Sequence, residues 1–198
     1  AADLGPPGPG RARLALDELL ANQVAMRMVR HSAAEATPGR TYCGDGHITR
    51  KLRASLPYEM TGAQNRAIAE ITGDQAKPKR MLRMLQGDVG SGKTLVALWA
   101  MLNAMEAGAQ AALLAPTEVL ARQHHASILA MLAPLDIEIG LLLGQGRGSA
   151  NAKTGTATMP VLSRKDTLKK LADGSLSLVV GTHALFSETV AFRDLGLA

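Results

Sequence analysis

From residue 81 onward, apolar runs of strand length alternate with stretches of helical period. The runs cover residues 81–85, 111–115, 137–143 and 176–180, and the helical stretches cover 93–107, 118–132 and 164–171. The runs are nearly continuous rather than alternating in and out. That pattern predicts parallel strands covered on both faces by crossover helices, an α/β fold. Upstream, Leu16, Leu19, Leu20, Val24 and Met28 recur at helical spacing within 11–31. Ala63, Ala67, Ile68 and Ile71 do so within 61–72, where Gly73 reads as the stop. Residues 1–10 are rich in Gly and Pro and read as a linker, 32–46 as a turn-rich boundary, and 144–160 as a long surface loop. Leu195 to Ala198 opens like a further strand. Two regions follow: 1–45, a linker with its helix, and 46–198, one α/β domain.

Composition narrows the setting. A chain of 198 residues supports one sizeable core, and a net charge of +5 suits a polyanionic partner. The one cysteine, Cys43, excludes an intrachain disulfide and a Cys-rich metal site. Asn103, Glu106 and Gly108 interrupt the longest apolar stretch before it could span a bilayer, and no signal-like segment opens the chain. The expectation is a cytoplasmic protein without a membrane partner.

The chemistry concentrates in Gly87-Asp88-Val89-Gly90-Ser91-Gly92-Lys93-Thr94, a complete G-x-x-x-x-G-K-T loop between an apolar run and a helix. In that context backbone N–H groups and the positive helix end converge on one point, which favours a phosphate. Lys93 would reach the β- and γ-phosphates and the Thr94 hydroxyl would ligate Mg²⁺. A nucleoside triphosphate is the implied ligand. Reactions of this class need a further carboxylate at a strand end. Asp136 and Asp173 precede strands and Asp194 sits in a turn, so the sequence reads as a piece cut short of that second motif.

Other motifs carry two readings each. Thr61-x-x-Gln64 fits a capping box, and the Gln64 amide also suits an adenine edge; spacing leaves both open and neither excludes the other. Thr117 is a natural N-cap and Glu118 favours the positive helix end. The same strand-to-helix turn, with Gln123 beyond it, could face a nucleic-acid phosphate. Gly181-Thr182-His183 repeats the logic, with Thr182 capping a short helix. Two such turns on one sheet would form a backbone track. The basic stretch Arg147, Lys153, Arg164, Lys165, Lys169 and Lys170 is either a solvated face or a DNA contact. His124 and His125 are adjacent, so they do not share a helix face or form a metal pair. Trp99, among Leu95, Leu98 and Leu102, reads as core.

Taken together, four motifs resemble the RecG family of superfamily 2 DNA translocases. They are Leu56-Pro57 with Thr61-Gly62-Ala63-Gln64; Gln86 to Thr94; Ala115-Pro116-Thr117-Glu118-x-Leu120-Ala121-x-Gln123-His124; and Val179 to Phe186. The resemblance spans Leu14 to the end. Transcription-repair coupling factor is the nearest rival, and a nucleotide-binding module without hydrolysis or a small-molecule P-loop kinase are further alternatives. The resemblance implies a RecA-like first motor domain of the P-loop NTPase class, preceded by a helix joining it to a wedge domain. It further implies ATP and Mg²⁺ as cofactors and a monomeric parent protein acting on forks and Holliday junctions in repair and recombination. Gln64 would sense adenine, residues 87–94 would hold phosphate, and Thr117, Glu118, Gln123, Thr182 and His183 would lie on DNA. The 144–167 loop departs from the family pattern, and the Asp-Glu motif, second motor domain and wedge are absent.

Overall fold

The computed structural model describes residues 8–36, 38–144 and 162–198. Arg147, Lys153 and most of the expected 144–160 loop lie outside the described residues. The chain divides into two compact units. The first contains residues 1–39 with 78–80, and the second contains 40–77 with 81–198. The first unit is one long helix, α1 (Pro9–Ala36), in which Arg13 donates to Asp17 one turn on, at 3.2 Å. Leu16, Leu19, Leu20, Val24 and Met28 of its expected apolar stripe are all exposed.

The second unit holds α2 (His47–Ser55), α3 (Gly62–Gln75), α4 (Lys93–Glu106), β1 (Gln110–Leu114), α5 (Glu118–Leu132), β2 (Ile139–Leu142), α6 (Arg164–Asp173), β3 (Leu178–Gly181) and β4 (Leu195–Leu197). The strands lie in the order β2-β3-β1-β4, and every pairing is parallel, as the apolar runs predict. Register sets Leu178 beside both Ala111 and Ile139, so β3 is central and paired on both edges.

Both sheet faces are covered. Ala111, Ile139, Leu178 and Val180 pack with Leu52, Leu98, Leu102 and Ile128 from α2, α4 and α5. Ala112, Leu142 and Val179 turn to the other face and pack with Leu171 and Leu176. Successive side chains point to opposite faces, so a strand with both faces buried must be apolar throughout. Fully burying one such Leu contributes about 1.5–3 kcal/mol.

Two expectations need correction. Residues 81–85 form no ladder with any of the four strands. They still alternate: Met81 and Leu85 pack under α3 and α4 with Ile68, Ile71, Val96 and Ala100, and Arg83 between them pairs with Glu70 and Asp74. Leu82 and Met84, on the opposite side, are 82% and 81% exposed. A strand is defined by its neighbour, and an extended segment without one is not a strand. Gly73 does not stop α3, which continues to Gln75; the glycine sits on the outer face with open space beside it. Residues 40–45 belong to the second unit. Arg40 forms a two-pronged pair with Asp194, Tyr42 N–H donates to Gln75 O at 2.8 Å, and Glu106 holds the start of α2.

Candidate functional site

The 87–94 loop is built around two left-handed glycines, Gly90 and Gly92, both at φ 82°. An L side chain at either would be strained. A Cβ on Gly92 would also meet Gln64 Nε2, so a larger residue there would displace the end of that side chain from the loop. Gly92 caps α4, and its carbonyl takes the Leu95 and Val96 N–H groups at 3.0 and 3.3 Å. Lys93 and Thr94 open the first turn, where N–H groups have no acceptor within the helix. Donors of that kind, together with the helix dipole, favour an anion at the start of a helix.

Lys93 Nζ donates to Gly87 O at 2.8 Å and Asp88 O at 2.7 Å, so its ammonium lies over the loop rather than out in solvent. Ser91 N–H closes the turn onto Asp88 O at 3.2 Å. Val89, at the tip, is fully exposed. Thr94 is half-buried beside Lys93 and offers one hydroxyl. One hydroxyl suits Mg²⁺, which takes few protein ligands and completes its shell with phosphate oxygens and water.

Gln64 joins this loop to α3. The capping box is formed in full: Thr61 N–H donates to Gln64 Oε1 at 2.9 Å, and Gln64 N–H donates to Thr61 Oγ1 at 3.2 Å. In addition Gln64 Nε2 donates to Ser91 O at 2.9 Å. A primary amide has two donor hydrogens and two acceptor lone pairs. One of each is spent on these bonds, which leaves one donor and one acceptor for a base edge.

A second row of expected residues lies at the C-terminal ends of β1 and β3. Thr117 caps α5, its hydroxyl accepting Leu120 N–H at 3.3 Å, and Thr117, Glu118 and Gln123 are exposed. Ala115 N–H donates to Gly181 O at 2.8 Å, which ties that turn to the end of β3. Thr182 differs from expectation. The residue is 1% exposed, and its hydroxyl caps nothing and has no hydrogen-bond partner among the described residues. The residue is still extended and its N–H donates to Leu142 O at 3.2 Å, so strand alternation turns its side chain inward. His183 is the exposed member of that turn and begins a short 3₁₀ segment, His183–Phe186.

Sequence reasoning missed the polar clamp behind the loop helix. Asn103, 5% exposed, donates to Tyr42 O at 3.0 Å and Gln75 Oε1 at 2.9 Å, and accepts Gly44 N–H at 3.2 Å. Gln75 in turn donates to Ala100 O at 3.0 Å. Glu106 accepts the N–H groups of Gly46, Ile48 and Thr49 at 2.7, 2.7 and 2.9 Å, capping α2 from the far end of α4. The available signal was a lone Asn inside the apolar run of α4. Asp45, His47 and Glu106 bring ligand-type atoms together, but Glu106 is committed to three amides, which assigns the group to capping. Asp45 lies below the ordinary carboxylate range, chiefly through the His47 N–H it accepts. Trp99 packs against the core with Arg53 over its ring at 5.7 Å, and His125 is buried against Ile139 O at 3.3 Å. No helix among the described residues is long and apolar enough to cross a membrane.

The chain is 46% identical over 192 residues to the ATP-dependent DNA helicase RecG of Acidithiobacillus ferridurans, covering 97% of this chain and 26% of that protein. It is 42% identical over 189 residues to RecG of Escherichia coli strain K12, covering 96% and 25%. It therefore spans about a quarter of the length of the curated relatives it matches. A solved structure of RecG bound to a three-way DNA junction superposes with a TM-score of 0.79 at 37% identity, covering 94% of this chain and 24% of that one. The family model for DEAD/DEAH box helicases matches residues 61–197, more than half of the sequence. The chain belongs to the DEAD/DEAH box helicase family.

Proposed function

We propose that this chain is the ATP-binding part of a RecG-type DNA helicase that remodels forks and Holliday junctions. The observation that carries the reading is the convergence of Gly90, Gly92, Lys93 and Gln64 on one anion-favouring point at the start of α4. In this reading ATP binds with its phosphates on the N–H groups of the loop and first turn, Lys93 neutralises the β- and γ-oxygens, and Thr94 holds Mg²⁺. Bound Mg²⁺ would supply charge neutralisation between the phosphates. Gln64 reads the adenine edge with its unspent donor and acceptor. Thr117, Gln123 and His183 lie along the DNA backbone, with Glu118 shaping the turn. Thr182 acts from beneath by holding the end of β3.

The resemblance to RecG along almost the whole chain favours branched DNA as the partner, and a DNA-acting bacterial helicase favours the cytoplasm. The test is ATP hydrolysis by the full-length protein carrying this segment. Turnover should rise with a three-way junction far more than with linear duplex, and Lys93→Ala should abolish it. A junction-independent rate would overturn the reading.

A further inference from the structure

The outer face of α6 carries two cations, Lys165 and Lys169, that form no ion pair among the described residues. Four of the seven residues from 164 to 170 are basic: Arg164, Lys165, Lys169 and Lys170. Arg164 donates to Leu143 O at 2.6 Å, and Lys170 pairs with Glu138 at 2.6 Å. Both acids of the helix are engaged elsewhere. Asp166 accepts the Ser163 hydroxyl at 2.6 Å, and Asp173 accepts Ser175 N–H at 2.8 Å. Asp173 lies below the ordinary carboxylate range chiefly because of Ser175, with Lys169 and Lys170 contributing less. Lys165 and Lys169 are exposed, stand one turn apart on one face, and enter no ion pair among the described residues. Like charges at that spacing repel and disfavour the helix unless an anion lies between them.

Their place in the fold gives the repulsion a use. The Arg164 bond to Leu143 fixes the first turn of α6 at the end of β2. The strand order β2-β3-β1 then sets that turn beside His183 at the end of β3, followed by Thr117 past the end of β1. At about 4.8 Å per strand the row spans roughly 10 Å, about three nucleotides of rise along one strand. Glu118 is an acid on this edge, with its carboxylate beside Gly144. The α6 cations sit past it.

We infer that Lys165 and Lys169 extend the strand-end row onto α6 and bind backbone phosphates of the DNA. The inference rests on the reading that the strand ends bind DNA, and it adds a contact surface that the loop and turn motifs do not contain. Its signature is electrostatic. Each phosphate contact contributes about 0.9 to the slope of log affinity against log salt on duplex, and about 0.7 on a single strand.

The experiment measures binding of the protein to a fluorescent three-way junction across a salt series. It compares wild type, Lys165→Gln/Lys169→Gln, and a net-charge control on α2, Arg50→Gln/Lys51→Gln. The α6 variant should lose about 1.4–1.8 from the slope and roughly 25–60-fold in affinity near 0.1 M salt. The control should keep the wild-type slope, and all three should melt alike. An unchanged slope in the α6 variant, or an equal fall in the control, overturns the inference alone. Wild type that binds without salt dependence overturns the DNA reading and the inference with it. Displacement by an acidic peptide as readily as by duplex would give the face to a protein partner instead.

Discussion

Replacing Gln64 separates the helix cap from the phosphate loop, because its side chain serves each through a different atom. Oε1 accepts Thr61 N–H at 2.9 Å, and Nε2 donates to Ser91 O at 2.9 Å. A neutral hydrogen bond contributes about 0.5–1.5 kcal/mol net. Gln64→Ala removes both and should cost about 1–3 kcal/mol of stability. Gln64→Glu keeps the acceptor, since a capping box takes Glu as well as Gln. It loses the Ser91 bond but gains about 0.3–1 kcal/mol from a negative charge at the start of α3, so its net cost should be near zero. Nucleotide binding should rank the two variants differently. Alanine loses the adenine contacts, a tenfold loss for each ~1.4 kcal/mol. Glutamate adds like-charge repulsion beside the phosphates and should bind more weakly still. The assays are urea unfolding and titration with a fluorescent ADP, run on both variants. Equal destabilisation by Glu and Ala, or unchanged ADP affinity in Gln64→Glu, would refute the division of labour.

Three further outcomes follow from the same geometry. Lys93→Ala should abolish ATP turnover in the full-length protein while leaving the unfolding free energy of this chain in urea within about 0.5 kcal/mol of wild type, because the residue is half-exposed and, among the described residues, its ammonium bonds its own loop. Asn103→Ala should cost about 1–3 kcal/mol by the same measurement, since it strands Gln75 Oε1 in the interior and leaves the half-buried Gly44 N–H and Tyr42 O without their side-chain partner. His125 makes stability depend on pH. Burial pushes its pKa below the ordinary value near 6.5, with the Ile139 carbonyl opposing in part. The unfolded chain therefore takes up a proton near pH 6.5 that the folded chain resists, and stability falls as pH drops below that value. His125→Gln should flatten this part of a midpoint-against-pH curve; an unchanged curve would exclude His125 as its source.

Legibility followed the reach of local signals. Helices α4 and α5 and strands β1 and β3 stand close to where periodicity and apolar runs place them, because burial on both sheet faces writes itself into every residue of a short strand. The phosphate loop and the capping box were readable because each is a contiguous string whose geometry is local. What escaped depends on distant partners. Helix α2 has little apolar signal, Leu52 being its one fully buried large side chain, and it is capped by Glu106 from some sixty positions away. The pairing of Arg40 with Asp194, far along the chain, likewise has no local signal. Residues 81–85 look like a strand by composition, yet composition cannot say whether a neighbour supplies its ladder. Thr182 was read as a surface cap, whereas one further step of strand alternation carries its hydroxyl inside.

The most direct test is a crystal structure of this chain grown with ADP and Mg²⁺. A β-phosphate should be held by the N–H groups at the start of α4, with Lys93 Nζ moved from Gly87 O and Asp88 O onto a phosphate oxygen at about 2.8 Å. ADP bound elsewhere, or Lys93 still on those two carbonyls beside a bound nucleotide, would contradict that placement.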